Sequence, residues 1–333
     1  MRKIHFNNAG SSISKKEVIF EINRYLKLEK KIGGYEAQEK KKELLNSFYF
    51  NVSKLINCSA SEISFLTNST LAWNQVFNSI SLEKRDDIVI SENEYSSNYL
   101  SILKRRNSFN KLKIIKLNKN GMIDLSDLVS KLDSRTKVLS INHIASQCGT
   151  KLPVERIGEI LKNKNKNAIY IVDACQSIGQ THVDVKKINC DFLTASGRKF
   201  LRGPRGSAFL YVKKSIKKKM EPVFIDMSVA KVGKNEKIII NNDARLMENF
   251  EYSPALKLGL STAIASILKF GVKKINKKII KLTVYFRSKV SENKNITLYE
   301  NENSLSGLNT IDFLNKNIND LCLYLKSYGV TTY

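Results

Sequence analysis

The apolar positions change period along the chain, and those changes mark out its elements. From Ser14 to Lys31, and again from Tyr35 to Ile56, apolar residues recur at helical spacing, which predicts one-sided helices broken apart by Gly33 and Gly34. The stretch from Phe6 to Ser12 carries Asn, Gly and Ser and reads as a loop. After Ser64-Phe65-Leu66, the polar cluster Thr67-Asn68-Ser69-Thr70 opens an apolar helical pattern that reaches Phe77. Short apolar runs then alternate with helical patterns. The runs Asp87 to Ile90, Leu112 to Leu117, Lys137 to Ile141, Ala168 to Val172, Asp191 to Ala195 and Ser207 to Val212 predict strands. Ser96 to Arg105, Leu125 to Leu132 and Val154 to Asn163 predict the helices between them. The alternation predicts an α/β fold with a mostly parallel sheet flanked by helices.

From Ser253 a long helical pattern carries Leu256, Leu258, Leu260, Ile264, Ile267 and Leu268. Residues 296–333 read as strand, strand and helix (Asn315 to Ser327), closed by a turn at Gly329. The expected organisation is a large unit over 1–250, with residues 1–35 packing near the smaller one, and a small α+β unit over 251–333. That small unit reads as truncated, because the chain stops soon after its helix.

Composition narrows the class. The length of 333 residues allows a large core, and 42% hydrophobic residues exclude a disordered chain. No run is long and apolar enough for a membrane span, and MRKIHFNNAG turns polar too early for a signal peptide. A cytoplasmic protein is the expectation. Cys58, Cys148, Cys175, Cys190 and Cys322 form no C-x-x-C pair, which argues for reduced thiols and against a disulfide frame or zinc. His5, His143 and His182 are too scattered for a metal cluster, so no metal is expected. The net charge of +25 could attract nucleic acid. Its lysines, however, fall in short clusters (Lys40 to Lys42, Lys217 to Lys219, Lys273 and Lys274, Lys277 and Lys278) without interleaved aromatics. Solvated helix faces are expected, not specific nucleic-acid or membrane binding.

Three segments carry chemistry. Ile171-Val172-Asp173-Ala174-Cys175-Gln176 places a carboxylate at the end of an apolar strand, where open α/β sheets bind ligands. Such a carboxylate needs a cationic or hydrogen-bonding partner, for which a protonated pyridine nitrogen would serve; a helix cap is the plain alternative. Ser196-Gly197-Arg198-Lys199-Phe200-Leu201-Arg202-Gly203 puts a lysine in a glycine-bounded loop between two buried strands. The guanidinium of Arg198 disfavours a second positive charge beside it, and Ser196 with Arg198 suits a phosphate. A basic surface hairpin is the alternative there. Thr67-Asn68-Ser69-Thr70 offers hydroxyls and backbone N–H groups to an anion, or simply caps a helix.

Together with GGYEAQE (Gly33 to Glu39) and ENEYSSN (Glu92 to Asn98), these segments make a specific set. The chain resembles the class V aminotransferase (cysteine desulfurase-like) family of fold-type I pyridoxal 5'-phosphate (PLP) enzymes, from Asn7 to about Gly329. Within it the motifs are most similar to the hercynylcysteine sulfoxide lyase and isopenicillin N epimerase-like subgroup. The resemblance implies a Schiff base on Lys199, which would also be the acid/base at the substrate Cα. It implies Asp173 on the pyridinium, Gln176 on the ring hydroxyl, Tyr95 stacked on the ring and Cys175 against the opposite face. Ser69, Thr70, Ser196 and Arg198 would hold the phosphate, with Arg198 replacing a His found in many relatives. Ser146 and Gln147 fall in a loop where relatives often carry an Asn near the cofactor.

An amino-acid substrate and a homodimer are implied as well. Elimination of a sulfur leaving group from Cβ is the favoured outcome; epimerisation and transamination by the same site are the alternatives. A PLP-binding protein with weak turnover and an interaction role is the reading from another class. A cysteine desulfurase is expected less, because Cys322 falls in the apolar pattern DLCLYL and reads as buried. The Arg that relatives use for the substrate carboxylate has no counterpart before the chain stops. His143 reads as structural, and Arg245 with Glu248 as either a dimer-interface motif or a surface ion pair.

Overall fold

A computed structural model of the chain describes residues 3–314 and 316–332. Strand β1 (Ile4–His5) leads to helices α1 (Lys16–Ile32), α2 (Gly34–Lys40) and α3 (Lys42–Ile56). The expected single helix from Tyr35 is therefore two. Lys41 leaves helical geometry at φ −110° and ψ 12°, which lets α2 bury Ala37 while α3 turns Leu45, Phe48 and Val52 inward.

The sheet region follows as β2 (Ile63–Leu66), α4 (Ser69–Asn78), β3 (Asp87–Ser91), α5 (Ser96–Lys104), β4 (Leu112–Ile115), α6 (Leu125–Lys131) and β5 (Thr136–Asn142). It continues with α7 (Val154–Lys164), β6 (Ile169–Asp173), α8 (Val185–Ile188), β7 (Phe192–Ser196) and β8 (Ala208–Val212). A hairpin, β9 (Ala230–Val232) and β10 (Ile238–Ile240), precedes α9 (Pro254–Phe270) and α10 (Val272–Val290). The last elements are β11 (Ile296–Leu298), β12 (Ile311–Phe313), α11 (Ile318–Ser327) and β13 (Val330–Thr331). Asn315, the expected start of the last helix, lies outside the described residues.

The main sheet has the order β2-β8-β7-β6-β5-β3-β4, and only β8 runs against its neighbours. The expected α/β architecture, mostly parallel and flanked by helices, is the observed one. β3, β6, β7 and β8 are buried at every position, which is why they read as continuous apolar runs and not as alternating ones. One core layer joins Phe48, Tyr170, Leu193 and Phe209 to Leu260, Ile264 and Ile267 of α9. The opposite face holds Trp73, Phe77, Ile88 and Phe192.

The direction of the strands decides where a site can form. The carboxyl ends of β2, β3, β5, β6 and β7 lie along one edge. Loops from that edge are closed over by three other parts of the chain. β1 pairs with β13 through Ile4–Val330 and His5–Thr331. Between the pair and α1, residues 6–14 cross the edge. At Gly271, φ 94°, the chain bends by 81° from α9 into α10. Among the described residues no single helix is long and apolar enough to cross a membrane.

One glycine is required for the edge to close. Gly179 has φ +95°, and a Cβ there would lie 2.6 Å from the carbonyl carbon and oxygen of Phe200. Backbone strain and collision then act together, so Gly179→Ala is expected to cost on the order of 1–3 kcal/mol. A urea-unfolding midpoint equal to that of the natural chain would contradict this packing.

Candidate active site

Four strands of the edge, β2, β3, β6 and β7, each deliver one part of a single cleft. β6 ends in Asp173, whose Oδ1 accepts from the Cys175 N–H at 2.9 Å and whose Oδ2 accepts from the Asn98 side-chain amide at 3.3 Å. β2 leads into the N-terminus of α4, where the Asn68 Oδ1 caps the Leu71 N–H at 2.8 Å. The cap leaves the first turn, Ser69 and Thr70, with the N–H groups that favour an anion. β3 leads to Glu94 and Tyr95. β7 ends in Ser196, and the turn after it carries Arg198 and Lys199.

That turn is tightly specified. Arg202 donates its N–H to the Lys199 carbonyl and Gly203 to the Gly197 carbonyl, both at 2.9 Å. Arg202 has φ 59°, a left-handed conformation that a residue with a Cβ adopts at a cost. The N-terminal segment holds the turn from above. The Ser12 N–H reaches the Arg198 carbonyl at 2.8 Å, and the Arg202 Nε reaches the Ile13 carbonyl at 3.0 Å. Lys199 is thereby kept 92% out of solvent, a costly position for an amine that only lines a cleft.

Ser69, Thr70, Tyr95, Asp173, Cys175, Ser196, Arg198 and Lys199, eight of the residues singled out from the sequence, line this one cleft. Two others stand apart from its lining. Gln176 is buried next to it, with its Nε2 on the Ala9 carbonyl at 3.1 Å and its Oε1 without a partner. Ser146 is on an outer loop, its hydroxyl 3.0 Å from the Gln147 Oε1. Asn68 and Asn98 line the cleft too; the sequence places Asn68 in the polar cluster before α4 and Asn98 in ENEYSSN, but assigns neither a role of its own. The signal for Asn98 was available, because it falls one helical turn after Glu94 and Tyr95 within ENEYSSN.

The chemistry of the lining is that of a divided ligand. At one end, hydroxyls, helix N–H groups and Arg198 would accept a phosphate; the buried Ser69 Oγ has no partner of its own. At the other, Asp173 would accept a hydrogen bond from a cationic ring nitrogen. Between them are Tyr95, Cys175 and an amine able to condense with a carbonyl. These residues could hold a phosphorylated pyridine aldehyde. Burial pushes the Cys175 thiol up to about 11, with the Asp173 carboxylate adding to the effect, so the group is a neutral thiol at physiological pH. His143, at the end of β5, is held down at about 3 by burial and by Lys151, a neutral ring consistent with a structural place.

Arg245 and Glu248 do not form a surface ion pair. Glu248 is half-buried, accepting from the Tyr49 hydroxyl at 2.9 Å and the Phe65 N–H at 2.7 Å. Arg245 stacks over the Tyr49 ring at 4.3 Å and meets Asp243 at 3.8 Å. The buried Lys257 ammonium completes the cluster with a 2.6 Å bond to the Tyr49 hydroxyl. Cys322, read as buried, is half-buried on α11 with its sulfur 3.6 Å from the Thr332 hydroxyl.

Comparison with known proteins places this geometry. The family model for aminotransferase class-V matches residues 4–332. A cysteine desulfurase of Wigglesworthia glossinidia brevipalpis is 30% identical over 346 residues, covering 98% of this chain and 81% of the relative. A probable cysteine desulfurase of Methanothermobacter thermautotrophicus is 27% identical over 300 residues, covering 88% of this chain and 73% of the relative. Among solved structures, the apo cysteine desulfurase from Thermococcus onnurineus NA1 superposes with a TM-score of 0.91 at 24% identity, covering 99% of this chain and 83% of that one. The complex of the cystine C–S lyase C-DES with cysteine persulfide gives 0.92 at 15% identity, covering 99% and 89%. At these identities the structural matches speak for the fold.

Because its thiol is protonated, Cys175 should resist iodoacetamide at pH 8 in the native protein and react only as the pH nears about 11. Peptide mass spectrometry after timed alkylation reads this directly. Rapid labelling of Cys175 at pH 8 would contradict the burial described.

Proposed function

This chain belongs to the aminotransferase class-V family, whose cofactor is PLP, and we propose that it cleaves a C–S bond of cysteine or a related β-thio amino acid. The observation that carries the reading is the convergence of buried Lys199, buried Asp173 and the capped α4 N-terminus in one cleft. The residues present fit the cofactor, since the Ser69 hydroxyl and the Gln176 Oε1 are buried acceptor or donor atoms without partners in its absence.

When bound, PLP supplies an electron sink for charge released at the substrate Cα. The protein's residues do the rest. Ser69, Thr70, Ser196 and Arg198 would hold the phosphate at the α4 N-terminus. Asp173 would accept a hydrogen bond from the protonated ring nitrogen, and Gln176, buried beside the cleft with its Oε1 unpartnered, would bond the ring hydroxyl. Tyr95 would cover the ring from one side, and the neutral thiol of Cys175 would pack against it from the other. Lys199 would hold the cofactor, and its Nζ, as general base, would take the substrate Cα proton. The residue 6–14 segment keeps water from that proton by lying across the Lys199 turn.

For the fate of sulfur we favour elimination. Cys175 is the cysteine that lines the cleft, and a thiol titrating at about 11 is a poor acceptor for transferred sulfur. The finer likeness to the hercynylcysteine sulfoxide lyase and isopenicillin N epimerase-like subgroup rests on the quoted motifs alone; the two curated relatives described above are a cysteine desulfurase and a probable one. Two further parts of the reading concern assembly. We take the protein as a homodimer, which would cover Val223, Phe224, Ile225 and the exposed β10 residues Ile238 and Ile239. The small unit is better divided from the large one at Gly271 than after residue 250, because α9 buries Leu260, Ile264 and Ile267 in the main core.

Incubation of the PLP-loaded protein with L-cysteine or L-cystine should release pyruvate and ammonia, the sulfur leaving as sulfide from cysteine or as cysteine persulfide from cystine, and Lys199→Ala should lose this by at least about a thousandfold. Alanine with protein-bound sulfane sulfur would instead assign sulfur transfer. Neither product, from protein that has taken up PLP, would favour the weakly active binding protein.

A further inference from the structure

Behind Asp173 is a second carboxylate that the scheme above does not use. Glu94 is 8% exposed, Asn98 1% and Asp173 7%, a buried row in which Asn98 and Asp173 line the cleft and Glu94 stands behind them. The Asn98 side-chain amide donates to both neighbours, to the Glu94 Oε1 at 3.0 Å and to the Asp173 Oδ2 at 3.3 Å. Glu94 also accepts from the Tyr95 N–H at 2.7 Å and, on its other oxygen, from the Ser140 hydroxyl at 2.7 Å. Both carboxylates are thus met by fixed neutral donors, and Asp173, with one bond on each oxygen, keeps room for a further donor. One side-chain nitrogen sets the distance and orientation of one carboxylate against the other.

We infer that Glu94 is a positioning residue that orients Asp173 through Asn98 and, as a second negative charge behind it, helps hold the proton on the cofactor's ring nitrogen. The inference rests on the proposed PLP site. The groups that face Glu94 are Ser140 from β5, Asn98 and the Tyr95 N–H from the start of α5, and Asp173 from β6; of these, Asp173 carries charge. An isolated structural carboxylate would be better replaced by an amide in so dry a place. Burial pushes Glu94 up to about 7, against three hydrogen bonds that favour its charged form. A cation on the ring nitrogen would bring it back toward the charged form by the same electrostatics that favours that nitrogen's proton.

The test is nitrogen-15 NMR of protein loaded with PLP labelled at the ring nitrogen, followed across pH. The natural chain should keep the ring nitrogen protonated, and Glu94→Gln, equal in shape but neutral, should lower the pH at which that proton is lost by about one unit. If Glu94→Gln is not recovered folded, Asn98→Ala serves, since loss of the bridge leaves two facing carboxylates that cannot both stay charged; a shift of the same sign is expected. A folded Glu94→Gln protein whose ring-nitrogen titration matches that of the natural chain would overturn the inference. Absence of any bound nitrogen signal in the natural chain would instead overturn the PLP reading beneath it.

Discussion

Burial of a lysine and an aspartate in one cleft is the constraint that shapes the rest of this molecule. Neither Lys199 nor Asp173 gains from leaving water for its own sake, and each would be more stable exposed or replaced by an apolar residue. The sheet accommodates them because its strands end together, so backbone N–H groups and short polar side chains converge where the charges are. Asp173 is held by the Cys175 N–H and the Asn98 amide. Lys199 is held by the backbone of its own turn, at the expense of a left-handed Arg202. Such an arrangement costs stability in the empty protein and makes sense when a ligand with a phosphate, a cationic nitrogen and a carbonyl completes it.

The smaller elements serve the same constraint from outside. Gln180 accepts from the Gly307 N–H at 2.6 Å through its side-chain oxygen, and its backbone carbonyl accepts from the Asn276 amide of α10 at 3.0 Å. This ties the loop after Asp173 to the segment between β11 and β12. Glu300, paired with Arg287 at 2.7 Å, accepts from the Gly149 N–H at 3.2 Å and fastens the loop after β5 in the same way. Gly149 could carry no side chain there, since a Cβ would come within 1.9 Å of the Leu308 carbonyl oxygen. Contacts made by the last third of the chain therefore fix loops that belong to the sheet.

Much of this was legible in the residues, and physical reasons separate what was from what was not. The inner strands were legible because strands buried on both faces must be apolar throughout. Asp173 and Lys199 were legible for the opposite reason, as charges where burial makes charge expensive. The break at Lys41 and the exposed hairpin of β9 and β10 left no mark in the hydrophobic period. Arg245 and Glu248 misled because adjacent charges suggest a surface pair, whereas long-range packing against Tyr49, Phe65 and Lys257 decides their place. The Glu94–Asn98–Asp173 row was half legible: a helical turn explains Asn98 beside Glu94, but only the pairing of sheet strands brings Asp173 to them.

The claim that one lysine is set apart is most directly tested by borohydride reduction of the PLP-loaded protein, followed by digestion and mass spectrometry. With 44 lysines, the chain offers many amines for indiscriminate adducts. The account predicts a single phosphopyridoxyl modification, close to one per chain, on Lys199. Modification spread over surface lysines, with Lys199 untouched, would contradict it.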